Sequence, residues 1–157
     1  MKDHILHVEK SLSIEKCNYL INNFENPNIP KITGPNNDFC RKRNIHYYEA
    51  ISIDITQSIC LNPLLAGLEQ YRKEHHFLSQ VSRWGVAKFA NLQKYLPLNY
   101  YSKEHCEQNY DTSSRILAFM FYLNDISVGG GTRFPQQDIT LIPRAGDLYI
   151  WPASFTH

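Results

Sequence analysis

The sequence predicts a mainly β domain with flanking helices, in which short strands form a sandwich or a jelly-roll barrel. From Trp84 onward, apolar residues recur with a period of two, and glycine turns at 129–131 and 143–146 separate the runs. Before residue 80, two segments instead carry apolar residues at helical spacing. The 157 residues, 43% apolar and 20% charged, are sufficient for one domain with its own core.

Charge and cysteine usage narrow the function classes. The net charge is +1 with histidine neutral, and the basic cluster at 41–43 is too small for a nucleic-acid or membrane footprint. No stretch approaches the roughly 20 apolar residues of a membrane span, and the N-terminus lacks a signal-peptide run. Scattered cysteines favour reduced thiols in the cytoplasm. They are Cys17, Cys40, Cys60 and Cys106.

The first half is expected to begin with a short strand at 4–8 and a helix capped by Ser13. One face of this helix carries Ile14, Cys17, Leu20, Ile21 and Phe24. The helix should end near Asn26-Pro27, before a loop at 26–44 that is either a substrate lid or a plain connector.

A half-buried strand is predicted at 45–56, because Ile51, Ile53 and Ile55 alternate with polar neighbours. Asn62 then resembles an N-cap with proline at the first helical position, and the second helix should reach about Phe77. Its apolar face carries Leu64, Leu65, Leu68, Tyr71 and His75. Both helices are expected to pack on one side of the sheets.

The second half supplies the barrel strands. One face of a strand before residue 96 carries Phe89, Asn91, Gln93 and Tyr95. Two amides on that face suit the mouth of a barrel with a polar ligand inside. The segment 116–123 is apolar on both faces, which predicts a central strand. Two further strands are predicted at 139–142 and 147–151.

A candidate metal site stands out in this half. His105 and Glu107 are two residues apart, so both point to one side of an extended segment, and His157 follows an apolar strand. Two imidazoles and one carboxylate form the facial triad of Fe(II) oxygenases. The same donors suit a zinc hydrolase, but the helical His-Glu-X-X-His motif is absent from the sequence. The other histidines are interpreted as structural or solvated, and Cys106 should point away from the metal.

The stretch from Tyr95 to His157 resembles the prolyl-4-hydroxylase-like branch of the Fe(II)- and 2-oxoglutarate-dependent oxygenases, especially short phage and bacterial versions. The motifs that carry the resemblance are a tyrosine upstream of the first metal histidine, a Tyr-Leu-Asn strand end, Gly-Gly-Thr-X-Phe, Pro-X-X-Gly-Asp and an aromatic strand leading to the second histidine. It covers the segment from Trp84 well and the first half loosely.

The resemblance implies a double-stranded β-helix as a single domain, with helical support at about 1–80 and a barrel at about 84–157. It implies Fe(II) bound by His105, Glu107 and His157, with 2-oxoglutarate contacted by Tyr122 through its C5 carboxylate. Tyr95 would line the pocket, and Arg115 and Asn124 would support it. The implied reaction hydroxylates a C–H bond of a peptidyl proline, another protein side chain or a small molecule, with ascorbate as a candidate accessory reductant. For a phage protein the expected location is the host cytoplasm.

Two departures accompany the resemblance. The acidic ligand is glutamate where most of the family has aspartate. The family also continues beyond the position of His157 with a last strand, whose Lys or Arg pairs with the C5 carboxylate, and Arg144 in its turn does not match that position. The barrel is therefore expected to be truncated, completed by a partner or inactive. The alternative hypothesis is a non-catalytic jelly-roll module that binds a metal or ligand or mediates an interaction.

Overall fold

The structure is a computed structural model that describes residues 3–34, 48–81, 83–101, 104–154 and 156–157. The basic cluster at 41–43, Cys40, His46 and most of the predicted lid at 26–44 lie outside the described residues.

Two helices and eight short strands make up the described chain. The helices are α1 (Ile14–Glu25) and α2 (Leu61–Glu74), and 3₁₀ turns occur at Ile55–Gln57 and His76–Ser79. The strands are β1 (Leu6–Val8), β2 (Ile32–Gly34), β3 (Tyr48–Asp54), β4 (Phe89–Lys94), β5 (Leu117–Phe121), β6 (Thr132–Phe134), β7 (Ile139–Leu141) and β8 (Leu148–Pro152).

The strands form three antiparallel sheets. Two have three strands, in the orders β1-β8-β5 and β2-β3-β4, and β6 pairs with β7 as a hairpin. In the first sheet, Ile150 lies opposite Leu6 on one side and Phe119 on the other. The mainly β prediction is therefore confirmed at the level of fold class. Over the described residues the strands do not close into a barrel.

The central strand β8 is buried on both faces. Leu148 and Ile150 face a core formed with α1 and α2, whereas Tyr149 and Trp151 face the β6–β7 hairpin. The molecule is thus layered as helices, sheet and hairpin, and the packing of both helices on one side agrees with the sequence prediction. No helix in the described part of the chain is long and apolar enough to cross a membrane.

The start of α1 agrees closely with the prediction. The Ser13 hydroxyl accepts a hydrogen bond from the Lys16 amide at 3.4 Å, and the helix ends at Glu25 with Asn26 as its C-cap, close to the predicted end. Most of the predicted apolar face is buried, but Ile14 is 54% exposed because the first turn extends beyond the core.

Two predicted elements differ in the structure. Helix α2 starts at Leu61, so Pro63 lies within the first turn, where its missing N–H has no intrahelical acceptor to lose. The helix ends at Glu74, and the predicted end near Phe77 lies in a separate 3₁₀ turn, His76–Ser79. The predicted central strand at 116–123 lies at the edge of its sheet among the described residues, because apolar packing on both faces does not require a neighbour on both edges.

A buried carboxylate attaches the first strand to the last. Asp147 is 3% exposed, and its Oδ2 lies 2.6 Å from His7 Nε2, while its Oδ1 accepts from the Lys10 amide at 2.9 Å. The His7 ring also stacks on Tyr149, with centroids 4.3 Å apart. These contacts hold β1 against β8, and Asp147 is compensated by two partners as a buried carboxylate requires.

Replacing Gly146 by alanine should destabilise the fold. Its φ is +90°, and an added Cβ would lie 2.2 Å from the Leu12 carbonyl oxygen. We expect a loss of about 2 kcal/mol or more in the free energy of unfolding, measured by urea denaturation. Gly85→Ala is the matched control, since nothing lies within 4 Å of its added Cβ. Equal stability of the two variants would contradict this account of the turn.

Candidate functional site

The segment that carries His105 and Glu107 is hydrogen-bonded to the residue that follows β8. The Gln108 amide donates to the Ala153 carbonyl at 2.9 Å, immediately after the strand. A turn follows, in which the Thr112 hydroxyl donates to the Glu107 carbonyl at 2.9 Å. Glu107 is therefore positioned by backbone contacts to the central strand and by its own turn.

His105 and Glu107 lie together as the sequence predicted. His105 Nε2 is 3.4 Å from Glu107 Oε1, and Arg115 Nη1 donates to Glu107 Oε2 at 3.2 Å and to the Glu107 carbonyl at 3.1 Å. The side chains of His105 and Glu107 are 46% and 37% exposed, so solvent or a ligand can reach them. Arg115, expected as a support, thus contacts Glu107 directly.

The neighbours of Glu107 favour its ionised form. The hydrogen bond with His105 lowers the pKa of Glu107, burial opposes this effect, and the electrostatic influence of His105 and of the Arg115 guanidinium lowers the pKa further. Between the two predicted ligands, Cys106 directs its thiol to the Gln108 carbonyl oxygen at 2.9 Å.

A group of tyrosines adjoins the pair. The Tyr95 ring lies 5.2 Å from the Tyr48 ring, and the Tyr101 ring lies 4.6 Å from the His105 ring. Burial, and then the proximity of Tyr48, Tyr101 and Glu107, raises the pKa of Tyr95 to about 12. Burial, then Tyr101 and Glu107, also raises the pKa of Tyr48. Tyr95 therefore lies beside the candidate site and stays protonated at neutral pH.

Tyr122 lies on the hairpin side of β5. Its hydroxyl donates to the Thr132 hydroxyl at 3.0 Å and accepts from the Thr132 amide at 3.2 Å. Its ring meets Tyr149 edge-on at 5.8 Å. Burial raises the pKa of this phenol, so it remains a hydrogen-bond donor at neutral pH.

His157 does not contact His105 or Glu107 through any hydrogen bond that the structure shows, and it binds a different set of residues. Its Nε2 is 2.8 Å from the Asp3 carbonyl oxygen, and its Nδ1 is 2.9 Å from the Thr156 hydroxyl. The described residues contain no group of three His, Cys, Asp or Glu side chains arranged to hold one metal ion. The structure thus brings together two of the three predicted ligands. Asn124, another expected support, donates to the Asp125 carbonyl oxygen at 3.3 Å.

Sequence reasoning missed Tyr48 and Tyr101 as neighbours of the site. Tyr48 begins β3, which was predicted only as a half-buried strand, and Tyr101 follows β4 by a loop. The concentration of tyrosines at 95–101 could have indicated Tyr101. Nothing in the sequence indicates that residue 48 lies next to these tyrosines, because it is far from them along the chain.

No protein-family model and no curated protein matches this chain. Among solved structures, it is similar to the viral collagen prolyl hydroxylase of Paramecium bursaria chlorella virus 1, solved as a 2OG complex. The TM-score is 0.64 at 15% sequence identity, over 96% of this chain and 78% of that protein. At this identity the likeness establishes a shared overall fold, which extends through the first half of the chain as well as the second.

Glu107→Gln should make the free energy of unfolding less dependent on pH in the acidic range. The pKa of Glu107 is lower in the folded state than its ordinary value of 4.5. The ionised carboxylate therefore stabilises the fold at pH values above 4.5, and this stabilisation is lost as the pH falls through the folded-state pKa. The expected contribution is below about 1 kcal/mol, since the pair is partly exposed. Urea unfolding from pH 3 to 7 measures it, with Glu69→Gln on α2 as the control. An identical pH profile for wild type and Glu107→Gln would contradict the prediction.

Proposed function

We propose that this chain is an Fe(II)- and 2-oxoglutarate-dependent dioxygenase that hydroxylates a C–H bond, with a peptide or protein substrate such as a peptidyl proline. The observation that carries the proposal is the His105–Glu107 pair, 3.4 Å apart on a segment anchored to the central strand. The shared fold with a viral collagen prolyl hydroxylase supports it. The double-stranded β-helix that the family resemblance implies is part of this proposal.

His105, Glu107 and His157 are the proposed iron ligands. The first two fit an iron site, because an imidazole and an ionised carboxylate lie side by side and both are accessible. When bound, iron and 2-oxoglutarate would supply the oxidising chemistry, which the protein's own side chains lack. The hydrogen bond with His105 favours the ionised form of Glu107, with Arg115 acting in the same direction, and Arg115 fixes the second oxygen, so that Oε1 remains on the His105 side.

His157 must change partners to join this ligand set. Its ring nitrogens are held by the Asp3 carbonyl and the Thr156 hydroxyl, two hydrogen bonds worth about 0.5–1.5 kcal/mol each. The proposal requires His157 to exchange these two hydrogen bonds for a bond to the metal.

The tyrosines are proposed to bind the organic ligands. Tyr122 carries a protonated hydroxyl that now donates to Thr132 and can donate instead to a carboxylate of 2-oxoglutarate. Tyr95 and its neighbours provide an apolar wall beside Glu107, which restricts water and orients the substrate.

A non-catalytic ligand-binding module is the second candidate. The observation that favours it is the position of His157, whose ring nitrogens are both occupied by protein oxygens. In that case Glu107 would form an ion pair with Arg115 beside His105, without redox chemistry.

An anaerobic titration with Fe(II) and 2-oxoglutarate separates the two candidates. The oxygenase should develop a visible metal-to-ligand charge-transfer band, and under air it should convert 2-oxoglutarate to succinate. His105→Ala removes an iron ligand, so the charge-transfer band should disappear. The rate of 2-oxoglutarate turnover should fall by at least about 100-fold. His76→Ala on the 3₁₀ turn is the control. A protein that gives no band and no succinate would favour the non-catalytic candidate, whereas turnover that survives His105→Ala would remove His105 from the proposed ligand set.

Tyr122→Phe tests the proposed 2-oxoglutarate contact. Removing one hydrogen bond to a charged group should raise the KM for 2-oxoglutarate by about tenfold, with a smaller effect on kcat. Tyr110→Phe, at a tyrosine that is 95% exposed, is the matched control. An unchanged KM in Tyr122→Phe would remove this residue from the proposed cosubstrate site.

A further inference from the structure

A pair of histidines joins the start of β1 to the end of α2. The His4 Nδ1 atom lies 3.4 Å from the His75 Nε2 atom, and the centroids of the two rings are 4.9 Å apart. His4 lies two residues before β1, and His75 is the C-cap of α2. The pair therefore connects two elements through residues that are 71 positions apart in the sequence.

A buried tyrosine in the last turn of α2 positions both rings. The Tyr71 hydroxyl donates to the His4 carbonyl at 2.9 Å, and the Tyr71 ring lies 4.7 Å from the His75 ring. The Phe77 ring also meets His75 edge-on, with centroids 6.1 Å apart. The backbone of His4 has a φ of +62°, a left-handed conformation that is uncommon for residues other than glycine. The two imidazoles are thus positioned by surrounding contacts as well as by each other.

The distance between the two nitrogens suits a tetrahedral metal ion better than a hydrogen bond. Hydrogen bonds from N–H groups in proteins usually span about 2.7–3.2 Å, so a separation of 3.4 Å is long. Zn²⁺ binds imidazole nitrogens at about 2.0–2.1 Å, and the tetrahedral angle then places two such nitrogens about 3.4 Å apart. Square-planar and octahedral ions would require adjacent nitrogens about 2.9 Å apart. Zinc is therefore the divalent ion that the pair favours.

Both rings are available to a cation. Metals bind the neutral form of imidazole, and burial, followed by the proximity of His4, lowers the pKa of His75 against the opposing influence of Glu74. The carboxylate of Glu74 and the negative end of the α2 dipole also favour a cation at this place. His4 is exposed and His75 is half-buried, so an ion from solvent can reach them.

We propose that His4 and His75 bind one Zn²⁺ ion, which cross-links the start of β1 to the end of α2. Within the described ranges no third His, Cys, Asp or Glu side chain completes the set, so water fills the remaining positions. Because the two histidines come together only in the folded chain, the ion stabilises the fold. The inference rests on these two side chains and does not depend on the proposed enzymatic function.

A zinc titration followed through the histidine ring signals tests the site. The full chain carries isotope-labelled histidine, and NMR spectra are recorded at neutral pH as Zn²⁺ is added. The ring signals of His4 and His75 should change together, with one dissociation constant. His4→Ala and His75→Ala should each raise this constant by about tenfold or more, because each removes a ligand. His76→Ala, on the 3₁₀ turn, is the matched control and should leave it unchanged.

Urea unfolding with and without Zn²⁺ measures the cross-link. At a zinc concentration about one hundred times the dissociation constant, the folding equilibrium constant of the wild type should rise about 100-fold by mass action. In His4→Ala the rise should be about tenfold or less at the same zinc concentration. Comparing each variant with itself, with and without zinc, removes any change in its basal stability. The gain should persist in His105→Ala, which lacks a ligand of the proposed iron site.

Three results would overturn the proposal. Ring signals of His4 and His75 that zinc does not change would identify the pair as a hydrogen bond only. A dissociation constant that His4→Ala leaves unchanged would remove His4 from the site. A stabilisation that disappears in His105→Ala would place the zinc at the His105–Glu107 pair instead.

Discussion

The structure depends on burying β8 on both of its faces. Leu148 and Ile150 can leave water only if α1 and α2 cover one side of the strand, and Tyr149 and Trp151 only if the β6–β7 hairpin covers the other. The strand also needs hydrogen-bonding neighbours on both edges, which β1 and β5 supply. Two strands that are far apart in the sequence, β1 and β5, are thereby fixed to the same strand.

The contacts of Asp147 explain why β1 can serve as one of these neighbours. A three-residue strand contributes few ladder hydrogen bonds, and the buried carboxylate adds a link to His7 and another to the Lys10 amide. Gly146, which precedes Asp147, adopts a positive φ that lets the Leu12 carbonyl approach closely and accommodates the Leu12-to-Gly146 hydrogen bond. These local contacts therefore hold residues 6–12 against the start of β8.

The candidate site takes its geometry from the same strand. Gln108 is anchored to the residue that follows β8, so His105 and Glu107 are held near the end of a buried, doubly paired strand. Arg115, two residues before β5, completes the electrostatic environment of Glu107. A partly exposed pair whose segment is attached to a buried strand is suited to ligand binding. His157, by contrast, contacts the Asp3 carbonyl and the Thr156 hydroxyl.

The sequence by itself determined the class of fold, most strand positions, the Ser13 cap and the adjacency of His105 and Glu107, because each of these depends on residues close together in the chain. The period of the apolar residues and the i, i+2 geometry of an extended segment are local properties. Only the tertiary structure decided that β8 is central and β5 lies at an edge of the described sheet, because strand order depends on distant pairings that periodicity does not encode. For the same reason it alone placed Tyr48 beside Tyr95 and His157 beside Asp3, since these contacts join residues far apart in sequence.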